Sequence, residues 1–235
     1  IVTSCNDDFN IARLERYVAM THEARITPVI VLTKFDLNSG STDFFLQASK
    51  ISAHVAVVNV DARNPLAKEH LAPWCKLGQT VAFLGSSGVG KSTLTNTLAG
   101  NSLIDTQTVR EADNKGRHTT TSRQLHIIPQ GCTVIDTPGM RELQLTDAAT
   151  GIKETFADLH EFEQKCRFND CSHEHEPGCA IQAAITSGII DVTRVNRWLK
   201  LVAEDQENTK ILEKRFSKEN AAKDQFSSKQ KYKQK

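Results

Sequence analysis

The sequence predicts an α/β domain built on a parallel-rich sheet, followed by a small α-helical unit, and three observations predict it. Short, nearly continuous apolar runs recur at 28–33, 54–60 and 79–85, the pattern of strands buried on both faces. Helical stretches alternate with them, which calls for parallel pairing through crossover helices. Beyond Asp136 the pattern is helical at 151–165, 180–187 and 192–204, where Val195, Trp198, Leu199 and Val202 recur at helical spacing. At 235 residues the chain has room for one α/β domain of about 150 residues plus a smaller unit. The boundaries expected are 1–149 for the first domain, 150–217 for the helical one and 218–235 for a basic tail. That tail carries six lysines against Glu219 and Asp224, the composition of a disordered segment or a frayed helix.

Taken in order, Ile1-Val2-Thr3 already reads as a strand, before an acidic turn and a helix over 12–21. A chain that opens inside a fold implies an upstream segment. The strand at 28–33 runs into Thr33-Lys34-Phe35-Asp36. In this pattern the carboxylate of Asp36 accepts from guanine N1–H and the 2-amino group, a pair adenine does not offer, while the stem of Lys34 stacks on the base. Thr33 stands where asparagine is usual, so a weaker bond to N7 and a weaker tether to the phosphate loop are expected. The strand ending at Val60 leads into Val60-Asp61-Ala62, the candidate for a backbone N–H to guanine O6. Residues 63–78, with Pro65, Pro73 and Gly78, then serve as a connector.

The strand before Gly85 and the helix after Ser92 give Gly85-Ser86-Ser87-Gly88-Val89-Gly90-Lys91-Ser92 the setting a phosphate loop requires. Its glycines let N–H groups turn inward around phosphates, together with Ser86, Ser87, Gly88, Val89, Gly90 and Thr93. Lys91 reaches the β and γ oxygens and Ser92 ligates Mg²⁺. Thr133-Val134-Ile135-Asp136 is a strand ending in the aspartate expected to hold magnesium through water, and the N–H of Gly139 is placed to sense the γ-phosphate. Of Thr119, Thr120 and Thr121, Thr120 is favoured as the switch hydroxyl on Mg²⁺.

Guanine motif, phosphate loop and magnesium motif thus follow one another in the order left when the two halves of a GTPase are exchanged. The fold class predicted is a circularly permuted P-loop GTPase domain, with 63–78 as the splice between the original ends, followed by a small α-helical zinc-binding domain. In that arrangement the second switch, 139–145, runs straight into the helical unit. Met140 replaces the glutamine that orients water in many such enzymes. His118, in Gly116-Arg117-His118-Thr119-Thr120, is the candidate to position or deprotonate that water; the alternative is a histidine that merely lies on a loop.

Cys166, Cys171, His173 and Cys179 supply three thiolates and an imidazole within fourteen residues, the donor set of a closed structural Zn²⁺ site, with His175 as an alternative to His173. Cys5, Cys75 and Cys132 are scattered, as buried thiols are in a reducing cytosol, and no disulfide framework is indicated. With 29 basic against 28 acidic residues no global field draws the molecule to nucleic acid, so RNA contact requires a local patch. No apolar run approaches the roughly 18–20 residues of a membrane span.

The motif order, GSSGVGKST, GRHTTT, DTPGMRE and the Cys/His cluster together resemble the RsgA (YjeQ) family of bacterial ribosome-associated GTPases, over nearly the whole chain. The resemblance implies GTP hydrolysis stimulated by the small ribosomal subunit, a role late in its maturation, and a catalytic histidine at His118, beside Lys91 and Thr120. It also implies partners GTP, GDP and the small subunit with its rRNA, and an N-terminal rRNA-binding OB-fold domain expected upstream of Ile1. A cytoplasmic monomer is expected. Two other readings compete: an ATP-directed P-loop kinase, which needs neither Asp36 nor the switch threonines, and a nucleotide-dependent RNA-binding adaptor with weak hydrolysis.

Overall fold

The computed structural model describes residues 1–37, 41–100, 124–137 and 144–233, the last from 218 onward as backbone. They fall into two compact units, Ile1–Leu143 and Gln144–Lys235. In the first, strands β1 (Val2–Ser4), β2 (Val29–Thr33) and β3 (Ala56–Asn59) pair in parallel in the order β1-β2-β3. Strand β4 (Thr80–Phe83) pairs in parallel with β6 (Thr133–Asp136), and β5 (Gln124–Ile127) pairs antiparallel with β6. The two three-stranded sheets meet where Val2 N–H donates to Leu84 O at 2.6 Å, which sets the strands in the order β3-β2-β1-β4-β6-β5. Gly85 is indispensable at this junction: a Cβ there would lie 2.1 Å from Val2 O.

Period-two alternation explains why β2 is an unbroken apolar run. Val31 enters one core with Val2, Phe83, Val89, Leu94 and Val134, while its neighbours Ile30 and Leu32 enter another with Leu14, Tyr17, Val18 and Ile51. Helices α1 (Ile11–Glu23), α2 (Ser41–Ser49), α3 (Ala67–Leu71) and α4 (Lys91–Ala99) alternate with the strands. The side chain of Asn10 caps α1 by accepting from Arg13 N–H at 2.9 Å. Gly90, at φ 100°, begins α4 in a left-handed turn that a side chain would strain. The segment 63–78, anticipated as a connector, contains α3, because Ala67 and Leu71 both bury into the first core with Cys75.

The second unit is helical: α5 (Ala149–Thr155), α6 (Ala157–Glu163), α7 (Ala180–Thr186) and α8 (Val192–Lys233). The helix anticipated over 151–165 is two helices, broken at Phe156, whose φ of −113° leaves the helical region and whose ring is fully buried. Arg194 of α8 secures that break, its guanidinium 4.9 Å from the Phe156 centroid and bidentate on Asp158 at 2.8 and 3.1 Å. Where a disordered tail or frayed helix is anticipated from 218, the backbone of α8 continues to Lys233, in keeping with the helix-favouring Lys, Glu, Ala and Gln there. Among the described residues no helix is long and apolar enough to cross a membrane.

Candidate functional site

Parallel strands deliver their carboxyl ends, and the loops that follow, to one edge of a sheet, where α/β folds bind ligands. Three side-chain bonds stitch those ends together here. Ser92 Oγ donates to Asp136 Oδ2 at 2.8 Å, Thr137 Oγ1 to Phe83 O at 2.6 Å, and Thr33 Oγ1 to Val89 O at 2.6 Å. The last is the tether that the loss of asparagine at 33 was expected to weaken; the threonine hydroxyl makes it at full strength by distance. Thr3 O lies 3.2 Å from the same hydroxyl, but one proton serves one short bond. A further bond, Thr97 Oγ1 to Ala62 O at 2.6 Å, ties the loop after β3 to α4. Thr97 and Thr137 escape sequence reading because their partners are 35 and 54 residues away.

Lys91 is only 6% exposed, and its Nζ donates to Gly85 O at 2.9 Å and Ser86 O at 2.7 Å. The ammonium is thus bent back over its own loop. Burial pulls its pKa down from 10.5 to about 8, opposed by the negative charges of Asp136 and Asp8. An anionic ligand would restore the charge that burial disfavours. Ser86 Oγ is buried without a hydrogen-bond partner among the described residues, a second polar group in this loop that a polar ligand would satisfy. Asp136 is fully buried with Ser92 against it. A carboxylate and a hydroxyl in contact are hard oxygen donors suited to Mg²⁺.

At the end of β2, Lys34 takes a left-handed conformation (φ 57°) and is half-buried. Burial lowers its pKa, as does the charge of Arg63, while Asp8 opposes them. Asp36 is exposed on a short 3-10 turn, Phe35–Leu37. Val60 does not fit the role of donor to guanine O6: its N–H already donates to Leu32 O at 2.8 Å within the sheet. Asp61 holds a turn, its carboxylate accepting from Arg63 N–H at 3.0 Å and its carbonyl from Asn64 N–H at 3.0 Å. Gly88 (φ 79°) and Ser87, Val89 and Thr93 lie in the loop and first turn of α4 as anticipated. His118, Thr120 and Gly139 lie outside the described residues.

In the second unit, ligand atoms of Cys166, Cys171, His173 and Cys179 all lie within 4.8 Å of one another. Nδ1 of His173 is 3.6 Å from both Cys166 Sγ and Cys179 Sγ, and the two sulfurs are 3.9 Å apart. A tetrahedron with metal–sulfur and metal–nitrogen lengths of about 2.3 and 2.05 Å has edges of about 3.6–3.8 Å, close to the separations among Cys166, His173 and Cys179, with Cys171 Sγ within 4.8 Å of each as the fourth donor. The cluster could hold a metal. His175 is not part of it. Several contacts fix the imidazole: Gln182 Nε2 donates to His173 O at 2.5 Å, Trp198 lies 5.4 Å away ring to ring, and Nε2 faces Glu163 Oε1 at 3.8 Å. Backbone N–H groups of Ala180 and Gln182 donate to Cys166 Sγ and Cys179 Sγ at 3.3 and 3.4 Å, which orients the two sulfurs. Glu176 shapes the intervening turn, accepting from the N–H groups of Ser172, Glu174 and His175; the Ser172 hydroxyl foremost, then the N–H groups of Ser172, Glu176 and His175, hold its pKa down at about 2.

Residues 1–146 match the model of the RsgA GTPase family. The chain is 52% identical over 208 residues to small ribosomal subunit biogenesis GTPase RsgA 2 of Vibrio vulnificus, covering 88% of this chain and 60% of that protein. To small ribosomal subunit biogenesis GTPase RsgA of Mesorhizobium japonicum it is 55% identical over 214 residues, covering 90% and 62%. The crystal structure of YjeQ from Thermotoga maritima aligns with a TM-score of 0.60 at 26% identity, covering 86% of this chain and 69% of that one. The chain spans about 60% of the length of the two curated relatives named.

Proposed function

Since the chain belongs to the RsgA GTPase family, we propose that it binds GTP with Mg²⁺, hydrolyses it to GDP and phosphate, and acts in the cytoplasm late in maturation of the small ribosomal subunit. The observation that carries this reading is the 2.8 Å bond from Ser92 to the buried Asp136, which sets an oxygen donor pair beside the phosphate-loop lysine. Ser92 and Asp136, with Thr120, would hold the magnesium, which when bound neutralises charge developing on the phosphates. Lys91 grips the β and γ oxygens, the loop N–H groups cradle them, and Gly139 senses the γ-phosphate. Asp36 reads the guanine edge and Lys34 covers its face; with Val60 engaged, the N–H groups of Asp61 and Ala62 are left as candidates for O6. His118 positions or deprotonates the attacking water. The second unit takes Zn²⁺ at Cys166, Cys171, His173 and Cys179 as a closed, structural ion.

Names of the relatives, small ribosomal subunit biogenesis GTPases, support the small subunit as partner. Because the chain passes from the magnesium motif directly into the metal-bearing unit, a contact made with γ-phosphate can bias that unit, a nucleotide-controlled lever. GTP turnover with and without purified small subunits tests the reading. Turnover is expected to be slow alone and accelerated by subunits; the His118→Ala protein should retain GTP binding and lose the acceleration. Equal turnover in both proteins would remove His118 from the mechanism, and equal affinity of the subunit for GTP-analogue and GDP forms would remove the lever.

A further inference from the structure

After the magnesium motif the chain enters the second unit at Leu145–Ala148, and there its backbone is gripped from one side. Asn208 Nδ2 donates to Leu145 O at 2.8 Å, Asp147 N–H to Thr209 Oγ1 at 2.8 Å, and Ala148 N–H to Asp205 Oδ1 at 3.0 Å. The three gripping side chains stand at i, i+3 and i+4 on α8, one face of the helix. Asp205 is 6% exposed, a buried carboxylate that an apolar site would not tolerate without such a partner. Leu145 and Ala148 are buried, and Asp147 sits at φ 54°, a left-handed turn that aims successive backbone groups at the helix. All three bonds go to main-chain atoms, so α8 holds the path of this segment rather than its side chains.

Buried backbone groups need partners in any fold, and here all three come from side chains of a single helix, beside the apolar contacts of Leu145, Ile152 and Phe156. At the place where the chain arrives from the nucleotide motifs, this polar clasp fixes the backbone of Leu145–Ala148 to α8. We infer that α8 is the arm by which the nucleotide state is expressed, with Asp205, Asn208 and Thr209 as positioning residues that couple it to the segment Leu145–Ala148. This rests on the lever reading above and names the element that moves. The zinc loop is then a brace for the unit, not the responder.

The test uses the wild-type protein, Asn208→Ala/Thr209→Val and, as a variant of similar size with no acceptor for Ala148 N–H, Asp205→Leu, each with GDP and with a non-hydrolysable GTP analogue. Nucleotide affinity and zinc content report folding and should stay within about twofold of wild type, since these sites lie away from the pocket residues in sequence and share no hydrogen-bond partner with them among the described residues. Hydrogen exchange of the α8 amides should differ between the two nucleotide states in wild type, and the difference should vanish in the variants. Subunit affinity should differ between nucleotide states in wild type by a factor in the allosteric range of about 5–150, and fall toward one in the variants. If wild-type subunit affinity depends on nucleotide while exchange in α8 does not, or if the dependence survives loss of the clasp, the inference fails and the lever stands. If wild-type subunit affinity ignores the nucleotide, the lever itself fails.

Discussion

Lys91→Ala will abolish GTP and GDP binding at micromolar protein while leaving the nucleotide-free fold intact. The ammonium already sits among the carbonyls of Gly85 and Ser86 and is almost wholly out of water. Its two bonds mark where phosphate oxygens would compete for the same hydrogens. Charge-assisted hydrogen bonds contribute about 1.5–3 kcal/mol each, so loss of two toward a polyphosphate weakens binding by roughly 10²–10⁴-fold. The nucleotide-free protein should melt at much the same temperature, because burial of an ammonium opposes folding and its removal offsets the lost contacts. A pH dependence follows from the same group. In the free protein its pKa is about 8, and bound phosphates raise it. Binding therefore draws on the protonated form: affinity is fully present below pH 8 and falls as pH rises through and beyond it. Calorimetric titration with GDP between pH 7 and 9.5 checks both points; an affinity in Lys91→Ala within threefold of wild type would refute the assignment.

Removal of the metal proposed for the Cys166, Cys171, His173 and Cys179 cluster of the second unit is the other large expected effect. Three seven-residue helices and one side of the long α8 bury few side chains, and the loop from Cys166 to Cys179 has turns and polar residues where a core would be. Structural zinc contributes on the order of 10–16 kcal/mol when binding and folding are one event. Chelation, or Cys171→Ser, should eliminate the cooperative melting of this unit and expose Trp198, which packs on the His173 ring. Partial burial, followed by the neighbouring thiols of Cys179 and Cys166, pushes the Cys171 thiol up to about 12, so metal binding must displace protons. Intrinsic tryptophan fluorescence during chelation, with nucleotide binding measured in parallel, separates the units: the first signal should change and nucleotide affinity should persist. A tryptophan signal indifferent to chelation would mean that no metal braces this unit.

Much of the molecule is legible in the sequence where chemistry is local. The phosphate loop and the strand before Asp136 could be read because each needs given residue types within a few positions, and β2, β3 and β4 lie within the apolar runs that announce them. What could not be read is tertiary. The tether from Thr33 spans 56 residues of sequence and uses a hydroxyl in place of an amide, so a motif comparison counts it as a loss. Val60 looked available to guanine O6 because nothing in its own neighbourhood says that Leu32 O takes its N–H. The break at Phe156 interrupts no apolar spacing; it exists because the ring turns inward beneath Arg194. Prolines 65 and 73 read as a loop, yet five residues between them form α3 when Ala67 and Leu71 find the core. Spacing favours His173 but leaves His175 as an alternative, and the distances from Nδ1 to two sulfurs single out His173.

The central claim is that Asp36, Lys91 and Asp136 serve one guanine nucleotide. Competition of GTP, ATP and xanthosine triphosphate for a fluorescent guanine nucleotide, in wild type and in Asp36→Asn, tests it most directly. Two hydrogen bonds from the base to a carboxylate are worth about 3–6 kcal/mol, so wild type should prefer GTP over ATP by at least about 100-fold. Asp36→Asn should lose that preference and gain affinity for the xanthine base, whose 2-oxo group can accept from the new amide. Wild type that binds ATP as tightly as GTP, or an Asp36→Asn protein with its GTP preference unchanged, would contradict the account.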